Sequence, residues 1–481
     1  MASGCAFLAY AASIPNAHAV AREWATYYGG SGSDGAADTA LDSFSSVIVV
    51  GHTDSSTGIA TDLSSFAGGD NDGFIAKFDE FGVLDWGTYR GGSGDESFRV
   101  VAIDSNDNVI ALGTTNSSSG IATVGAWKTS LTGSRDAMLA KYTPLGAPSW
   151  VTYLGGNGSD FGSGTCVASN GTIYVVGDTT STDLGLGTPH DTTFNGVRDA
   201  FIAKVSSSGT PTWISYYGHS SGSTAARDCA VDASNNVYVV GDTTATSGIA
   251  TAGTHDTGHD GDDDVFVAKF DSNGGRLWGT YYGGSATDLG IAIDLDEDGD
   301  VYIAGSTKSP NDGHLRQIAT DGMHSEALAG AQDAFVARFD GSNGARVWST
   351  YFGSENSGSE ISSDAFTDLE VDTSGIVLSG STNSDDPLLS TTGAYDPFYG
   401  DWFDPIFVNM SIDGDVWYCS YNGGTGIEPG DHGNGVALSF DEAVLAGTTL
   451  ASGGIATTGA HDTSYNGSHD VFVTFIRLFA T

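Results

Sequence analysis

The chain predicts an all-β fold, a single seven-bladed β-propeller of four-stranded antiparallel blades, and three observations carry that prediction. Trp24, Trp86, Trp150, Trp213, Trp278, Trp348 and Trp417 each open a phrase of the type W-x-T-Y-x-G-G, at intervals of 62, 64, 63, 65, 70 and 69 residues. A period this long that fills the chain marks one repeat architecture, whatever the length of the chain alone would suggest. Each unit also holds four short β-rich runs between glycine or acidic turns, with no helical period. Finally, the phase of the repeat favours closure, because the body opens with a Trp run and ends after the run Asp470–Phe475.

The fifth unit shows the elements in order. Trp278–Tyr282 is β-rich and stops at Gly283-Gly284. Ile291–Asp294 is a short apolar run, followed by the acidic turn Asp296–Gly299 and a second run, Val301–Gly305. A long loop leads to Asp333–Phe339, and a glycine turn then leads to the next Trp. A propeller blade built this way places the Ile291 run innermost, Val301–Gly305 second, Asp333–Phe339 third and the Trp run outermost. Trp24–Tyr28 would then complete the last blade and latch the ring, covering an edge that would otherwise lie open. The repeated Trp and Tyr are expected to pack between blades, where aromatics bury large area.

Residues 1–20 stand apart from the propeller body, 21–481. They carry an apolar run from Cys5 to Ala12 and an A-x-A-like sequence, Ala17-His18-Ala19, but no basic n-region. This is a signal-like segment, or an extended segment packed on the body. Ala2-Ser3-Gly4-Cys5 also matches the end of a lipoprotein signal, which would make Cys5 a lipid anchor. No stretch is long and apolar enough for a transmembrane helix.

The composition is strongly acidic, with 17 Lys+Arg against 60 Asp+Glu and a formal charge of −43. Nucleic-acid binding depends on cationic side chains that displace phosphate counterions, so it is excluded as a primary function. Glycine supplies 69 of 481 residues, about twice the usual ~7%, at fixed offsets that mark turns. The acidity fits solubility in a saline or extracellular medium, with cation binding as a compatible addition. Cys166 and Cys229 fall in corresponding phrases of neighbouring units, where other units hold Val101, Ile291, Leu369 and Val436. They are expected to be small buried hydrophobes, as free thiols often are.

Several phrases resemble the bacterial seven-bladed propeller repeat family known as SBBP repeats. Those phrases are the seven W-x-T-Y-x-G-G copies, Asn236–Gly241 (N-V-Y-V-V-G), Asp199–Lys204 (D-A-F-I-A-K) and Gly248-Ile249-Ala250-Thr251. The likeness runs from Trp24 to the C-terminus and is weakest at Asn409-Met410-Ser411 and Thr474-Phe475-Ile476. It implies an exported or surface-exposed protein and no common catalytic activity, so a function must be argued from a site.

Two acidic sets recur. Asp34, Asp95, Asp160, Asp288 and Asp431 follow the G-G phrase and are the candidates for ligand or ion contact near the channel. Asp72, Asp136, Asp199, Asp264, Asp333, Asp404 and Asp470 precede the third strand in all seven units, as expected of carboxylates that accept hydrogen bonds from loop amides. Asp294-x-Asp296-x-Asp298-Gly299 has the opening spacing of a calcium loop, with Asp300 as a further ligand, although no acid stands at the twelfth position. Calcium is therefore the candidate cofactor. His190, His255, His324 and His461 share one loop position with Phe66, Trp127 and Tyr395, which suggests a packed ring and not a ligand.

No nucleophile elbow, phosphate loop or zinc-protease motif is present in the sequence. The turns before each Trp resemble the Asp box of sialidases only superficially. The expectation is a non-catalytic, exported scaffold or protein-interaction module that binds a protein partner or surface polysaccharide. The longer fifth and sixth units, which add His314–Leu328 and Glu355–Phe366, are candidate contact surfaces. A lectin or adhesin is the alternative, and a polysaccharide lyase or glycosidase would need carboxylates converging at the channel mouth.

Overall fold

The computed structural model describes residues 20–62, 64–311, 318–354, 362–384, 389–391, 394–399, 403–423 and 431–478. Cys5 and the rest of the signal-like segment up to residue 19 lie outside them, as do parts of both long insertions, 312–317 and 355–361. The described residues form seven four-stranded antiparallel sheets arranged in a ring, a seven-bladed β-propeller. No helix among them is long and apolar enough to cross a membrane.

Blade one contains Asp34–Leu41, Val47–Thr53, Asp72–Phe78 and Leu84–Arg90, from channel to rim. The second and third strands are continuous apolar runs, such as Val237–Thr243 (VYVVGDT) and Val109–Thr115 (VIALGTT), buried at every position. The cause is geometric: both faces of a blade pack against neighbours, so alternating polarity would bury polar groups without partners.

Blade seven closes the ring. Its inner strands, His432–Ser439, Glu442–Thr449 and Asp470–Arg477, come from the C-terminus, and its outer strand, Ala21–Tyr28, comes from the N-terminus. Trp24 lies opposite Phe475 and Tyr28 opposite Val471, in antiparallel register. Asp34–Leu41 packs directly on His432–Ser439, completing the innermost circle.

The Trp and Tyr of the repeated phrase act as staples. The Trp24 indole N–H donates to the Glu80 carbonyl (3.0 Å), Trp86 to Pro144 (3.1 Å) and Trp278 to Gly341 (3.1 Å), each reaching a turn of the next blade. That turn carries a glycine for two reasons. Gly82 sits at φ 78°, and a Cβ there would lie 2.8 Å from the Trp24 ring. Three residues after each of the first six Trp, and four after Trp417, a Tyr hydroxyl donates to a carbonyl of its own blade. Tyr89 reaches Ser55 (2.8 Å), Tyr281 reaches Ala245 (2.7 Å) and Tyr421 reaches Ser384 (2.9 Å). Four loop histidines contact neighbouring rings, for example His255 with Phe339 and His461 with Phe78.

The cysteine expectation is corrected. Cys166 and Cys229 form a disulfide, with Cα atoms 5.8 Å apart. In strand register they are not equivalent: Cys166 pairs with Tyr174, whereas Cys229 lies one step earlier, opposite Val239. A one-residue offset turns the two side chains to opposite faces of their sheets. Blade three therefore presents Cys166 toward blade four, and blade four presents Cys229 back toward it. Cys419 is a buried free thiol.

Candidate functional site: the central channel and the blade junctions

Each innermost strand contains a β-bulge near its start, after the third residue in six blades and after the second, Gly433, in blade seven. A bulge inserts one unpaired residue and re-aims its side chain. The inserted residues are Ala37, Arg99, Ser163, Arg227, Ile291, Thr367 and Asn434, and all seven line the upper half of the channel, a cavity of about 520 Å³. Here the upper face is the one that carries the G-G turns. The seven-fold repeat ends at this position, because the set mixes cationic, polar and apolar side chains.

Arg227 bonds Asp242 through Nε at 2.5 Å. Arg99 makes no ion pair among the described residues and is exposed at the mouth. The protein crowded around Arg99, and then neighbouring Arg227, push its guanidinium below its ordinary pKa. His52 and Asn434 stand nearby in the same cavity.

Below the bulges, Asp38, Asp228 and Asp368 face the channel and line both its halves. Each carboxylate accepts from the following amide and from an amide on the next blade. Asp38 accepts from Thr39 (2.7 Å) and Val101 (2.8 Å), Asp228 from Cys229 (2.7 Å) and Ile293 (3.1 Å), and Asp368 from Leu369 and Val436 (both 2.8 Å). These bonds tie innermost strands that have no strand partner on the channel side. Enclosure by protein lifts the Asp38 and Asp228 carboxyls to about 7, and Asp368 well above the usual range. Asp294 lies lower in the channel, bonded to the Val371 amide (2.8 Å) and to Glu370, and burial raises it to about 6.

Asp294 is thus separated from the rest of the proposed calcium loop. Asp296 and Asp300 turn toward Arg338, whose Nη2 lies 3.5 Å from Asp296 Oδ2 and 2.8 Å from Asp300 Oδ2, while Asp298 is exposed. The pairing recurs: Lys77–Asp42 (2.6 Å), Lys141–Asp104 (2.7 Å) and Lys269–Asp232 (3.6 Å) join a third strand to its own inner hairpin. In these four blades the basic residue of the third-strand phrase is therefore the counter-ion of the acidic turn, whereas Lys204 of blade three donates to the Ser272 carbonyl (2.7 Å). The four oxygens expected to converge on calcium do not share a centre.

The acids after G-G stand at the blade junctions, buried. Asp34 accepts from the Gly30 amide (2.7 Å), the Ser55 hydroxyl (2.9 Å) and the Thr53 hydroxyl. Asp160 and Asp288 repeat this set with Gly156, Ser181 and Thr179, and with Gly284, Ser309 and Thr307. Asp431 bonds Thr449 and Leu450 (both 2.8 Å). Asp95 is the exception. It is a half-exposed loop residue bonded to the Asp70 amide (2.7 Å), which holds its carboxyl below the usual range, and to Asn116. The junction acid of blade two is Glu96, which accepts from Gly92 (2.7 Å) and Thr115 (2.5 Å). Blade four has Thr224 there, and blade six has Asp364, bonded to Thr382 and Ser384.

The third-strand acids meet loop amides as their recurrence suggested: Asp72 accepts from Ala67 (2.7 Å), Asp199 from Asn195 (2.8 Å) and Asp470 from Asn466 (2.7 Å). The sequence reading did not single out the channel carboxylates Asp38, Asp228, Asp368 and Glu370. The available signal was an acid inside a run that is apolar in other units, as at Asp228-Cys229-Ala230-Val231.

No family model matches the chain, and no curated protein matches it. Solved structures do. A polysaccharide lyase of family PL25, an ulvan lyase bound to a GlcA–Rha3S ligand, is 14% identical with a TM-score of 0.44, covering 88% of this chain and 93% of that one. The Dos1 propeller is 8% identical (TM-score 0.41), with 96% and 95% coverage. The phage phi92 endosialidase is 9% identical (TM-score 0.41), with 95% and 69% coverage. Similarity at this level carries nothing of the chemistry.

Proposed function

We propose that this protein is a non-catalytic, exported interaction module that captures an anionic group of its partner at the upper mouth of the channel. The observation that carries this reading is Arg99, an exposed guanidinium without an ion pair among the described residues, in a chain of charge −43. It projects from a bulge at the position where the repeat loses its symmetry. A guanidinium with free donors matches a carboxylate or sulfate in a bidentate fork, and low competition from other cations on the surface makes the spot selective. The Cys166–Cys229 disulfide supports export, because such bonds persist in oxidising compartments. The partner is a protein that presents an acidic loop, or a surface polysaccharide with uronate or sulfate groups.

The test isolates the protein gently from its source, identifies co-purifying chains, and screens acidic and neutral glycans in parallel. Loss of one charge-assisted contact costs about 1.5–3 kcal/mol, so Arg99→Glu should weaken capture at least tenfold. Capture unchanged by Arg99→Glu would reject the site.

One observation favours a second reading, hydrolysis or elimination on a polysaccharide. Asp38 and Asp228 converge in the channel with carboxyls near 7, a range suited to general acids. Against it, both oxygens of each are committed to amides. Turnover of any acidic polysaccharide that is abolished by Asp228→Asn would establish that reading in place of the first.

A further inference from the structure

Blade two holds two arginines at the upper mouth and no acid to pair with them. Arg99 is its bulge residue, and Arg135 stands immediately before its third-strand acid, Asp136. The same two positions hold arginine elsewhere: Arg227 is the bulge residue of blade four, and Arg198 precedes the third-strand acid of blade three. Those two have counter-ions within their own blades. Arg227 Nε lies 2.5 Å from Asp242, and Arg198 Nη1 lies 3.6 Å from Asp178. Asp178 and Asp242 are each the sixth residue of a second strand, and blade two has Thr114 at that place. Thr114 is buried, 3.4 Å from the Ser97 hydroxyl, and brings no charge. One position thus leaves both guanidiniums of blade two without an ion pair or hydrogen bond among the described residues.

Arg135 is positioned by its neighbours. Its carbonyl accepts from the Asp160 amide of blade three (2.8 Å), and its guanidinium lies 5.3 Å from the centre of the Phe161 ring. Phe161 comes two residues before Ser163, the bulge residue on the channel wall, so Arg135 stands over the same mouth as Arg99. A guanidinium stacked on a ring keeps its edge donors for a ligand. The protein around Arg99, then Arg227 and more weakly Arg135, push its guanidinium below the ordinary pKa, with Asp178 opposing them. Cations that repel one another at a surface favour an anion between them.

We propose that Arg99 and Arg135 form a two-pronged site for a linear acidic polysaccharide, with one uronate or sulfate group on each guanidinium. This inference rests on the reading of Arg99 given above and narrows its partner. The cavity below the mouth selects a glycan over an acidic peptide. Ser163, Thr367 and Asn434 offer neutral donors and acceptors there, and Asp38, Asp228 and Asp368 lie beneath them. Sugar hydroxyls between two anionic groups match that neutral wall. A run of aspartate or glutamate would instead press further carboxylates toward the channel acids, and like charges at short range repel.

The test titrates the full chain by calorimetry with galacturonate, its oligomers of two to four residues, a sulfated disaccharide, neutral cello-oligosaccharides and an oligoglutamate. The glycans with two or more anionic groups should bind about tenfold or more tighter than the single uronate, and the neutral ones should not bind. Arg135→Gln should bring the longer glycans down to the affinity of the single uronate, and Arg99→Gln should weaken both. Thr114→Asp keeps both arginines and adds the acid that blades three and four already carry, so it should abolish binding. Single-uronate binding that needs Arg99, with no gain from a second anionic group or no effect of Arg135→Gln, would overturn the two-pronged site and leave the Arg99 reading standing. No binding by the wild type, or binding indifferent to Arg99→Gln, would remove both. Oligoglutamate bound as tightly as the glycans would overturn the choice of a polysaccharide. Should Thr114→Asp fail to fold, the two Gln variants give the same reading.

Discussion

Asp264 offers a sharp test of how the junctions are built, through the pH dependence of stability. Its carboxyl is 1% exposed, accepts from the Asp260 amide at 2.8 Å, and faces Asp288 on the next blade and Asp260 and Asp256 in its own loop. Burial, and then these acids, raise its pKa from 3.8 to about 8. The folded protein therefore holds a proton that the unfolded chain gives up, so stability is fully present below about pH 4 and is lost as pH rises to about 8. A rise of about four units at 1.36 kcal/mol each sets a ceiling of about 5 kcal/mol. Asp264→Asn keeps an acceptor for the Asp260 amide and points an amide donor at Asp288, with nothing left to titrate. Urea midpoints of wild type and variant should converge near pH 4 and separate progressively toward pH 8, with the variant the more stable. A difference that does not change across that range would refute the assignment of the proton to this pair.

Reducing the Cys166–Cys229 bond, or replacing both by Ser, reopens a loop of 63 residues. The chain-entropy relation puts this at about 4 kcal/mol, so thermal melting should fall in reductant for the wild type and not for the double variant. Gly82→Ala should cost about 1–3 kcal/mol, through a left-handed φ of 78° and a Cβ forced to 2.8 Å from the Trp24 ring. Its signature would be altered tryptophan fluorescence, and a neutral result would remove the Trp staple from the account. Tyr281→Phe leaves the buried Ala245 carbonyl without its donor at 2.7 Å and should cost about 1–3 kcal/mol in urea unfolding.

Repetition made the architecture readable from residues alone. The phrase opening at Trp24 recurs too regularly to serve separate local purposes, and its phase predicted that Trp24–Tyr28 would pair with the last strand, as it does. The third-strand acids were equally legible, since a residue present in all seven units serves the unit. The sites were not legible, because they depend on offsets of one residue. Asp95 stands beside Glu96 in sequence, yet only Glu96 reaches the junction. Cys166 and Cys229 align by phrase but differ by one step in register, and that step lets them bond across two blades. The spacing of Asp294, Asp296, Asp298 and Asp300 suggested one ion, but strand alternation sends Asp294 into the channel and leaves Asp296 and Asp300 to Arg338. The sequence by itself determined the blade, since hydrophobic runs and turn residues act over a few positions. Tertiary structure alone decided which side chains meet between blades, because those neighbours are about 60 residues apart and are brought together only by closure of the ring.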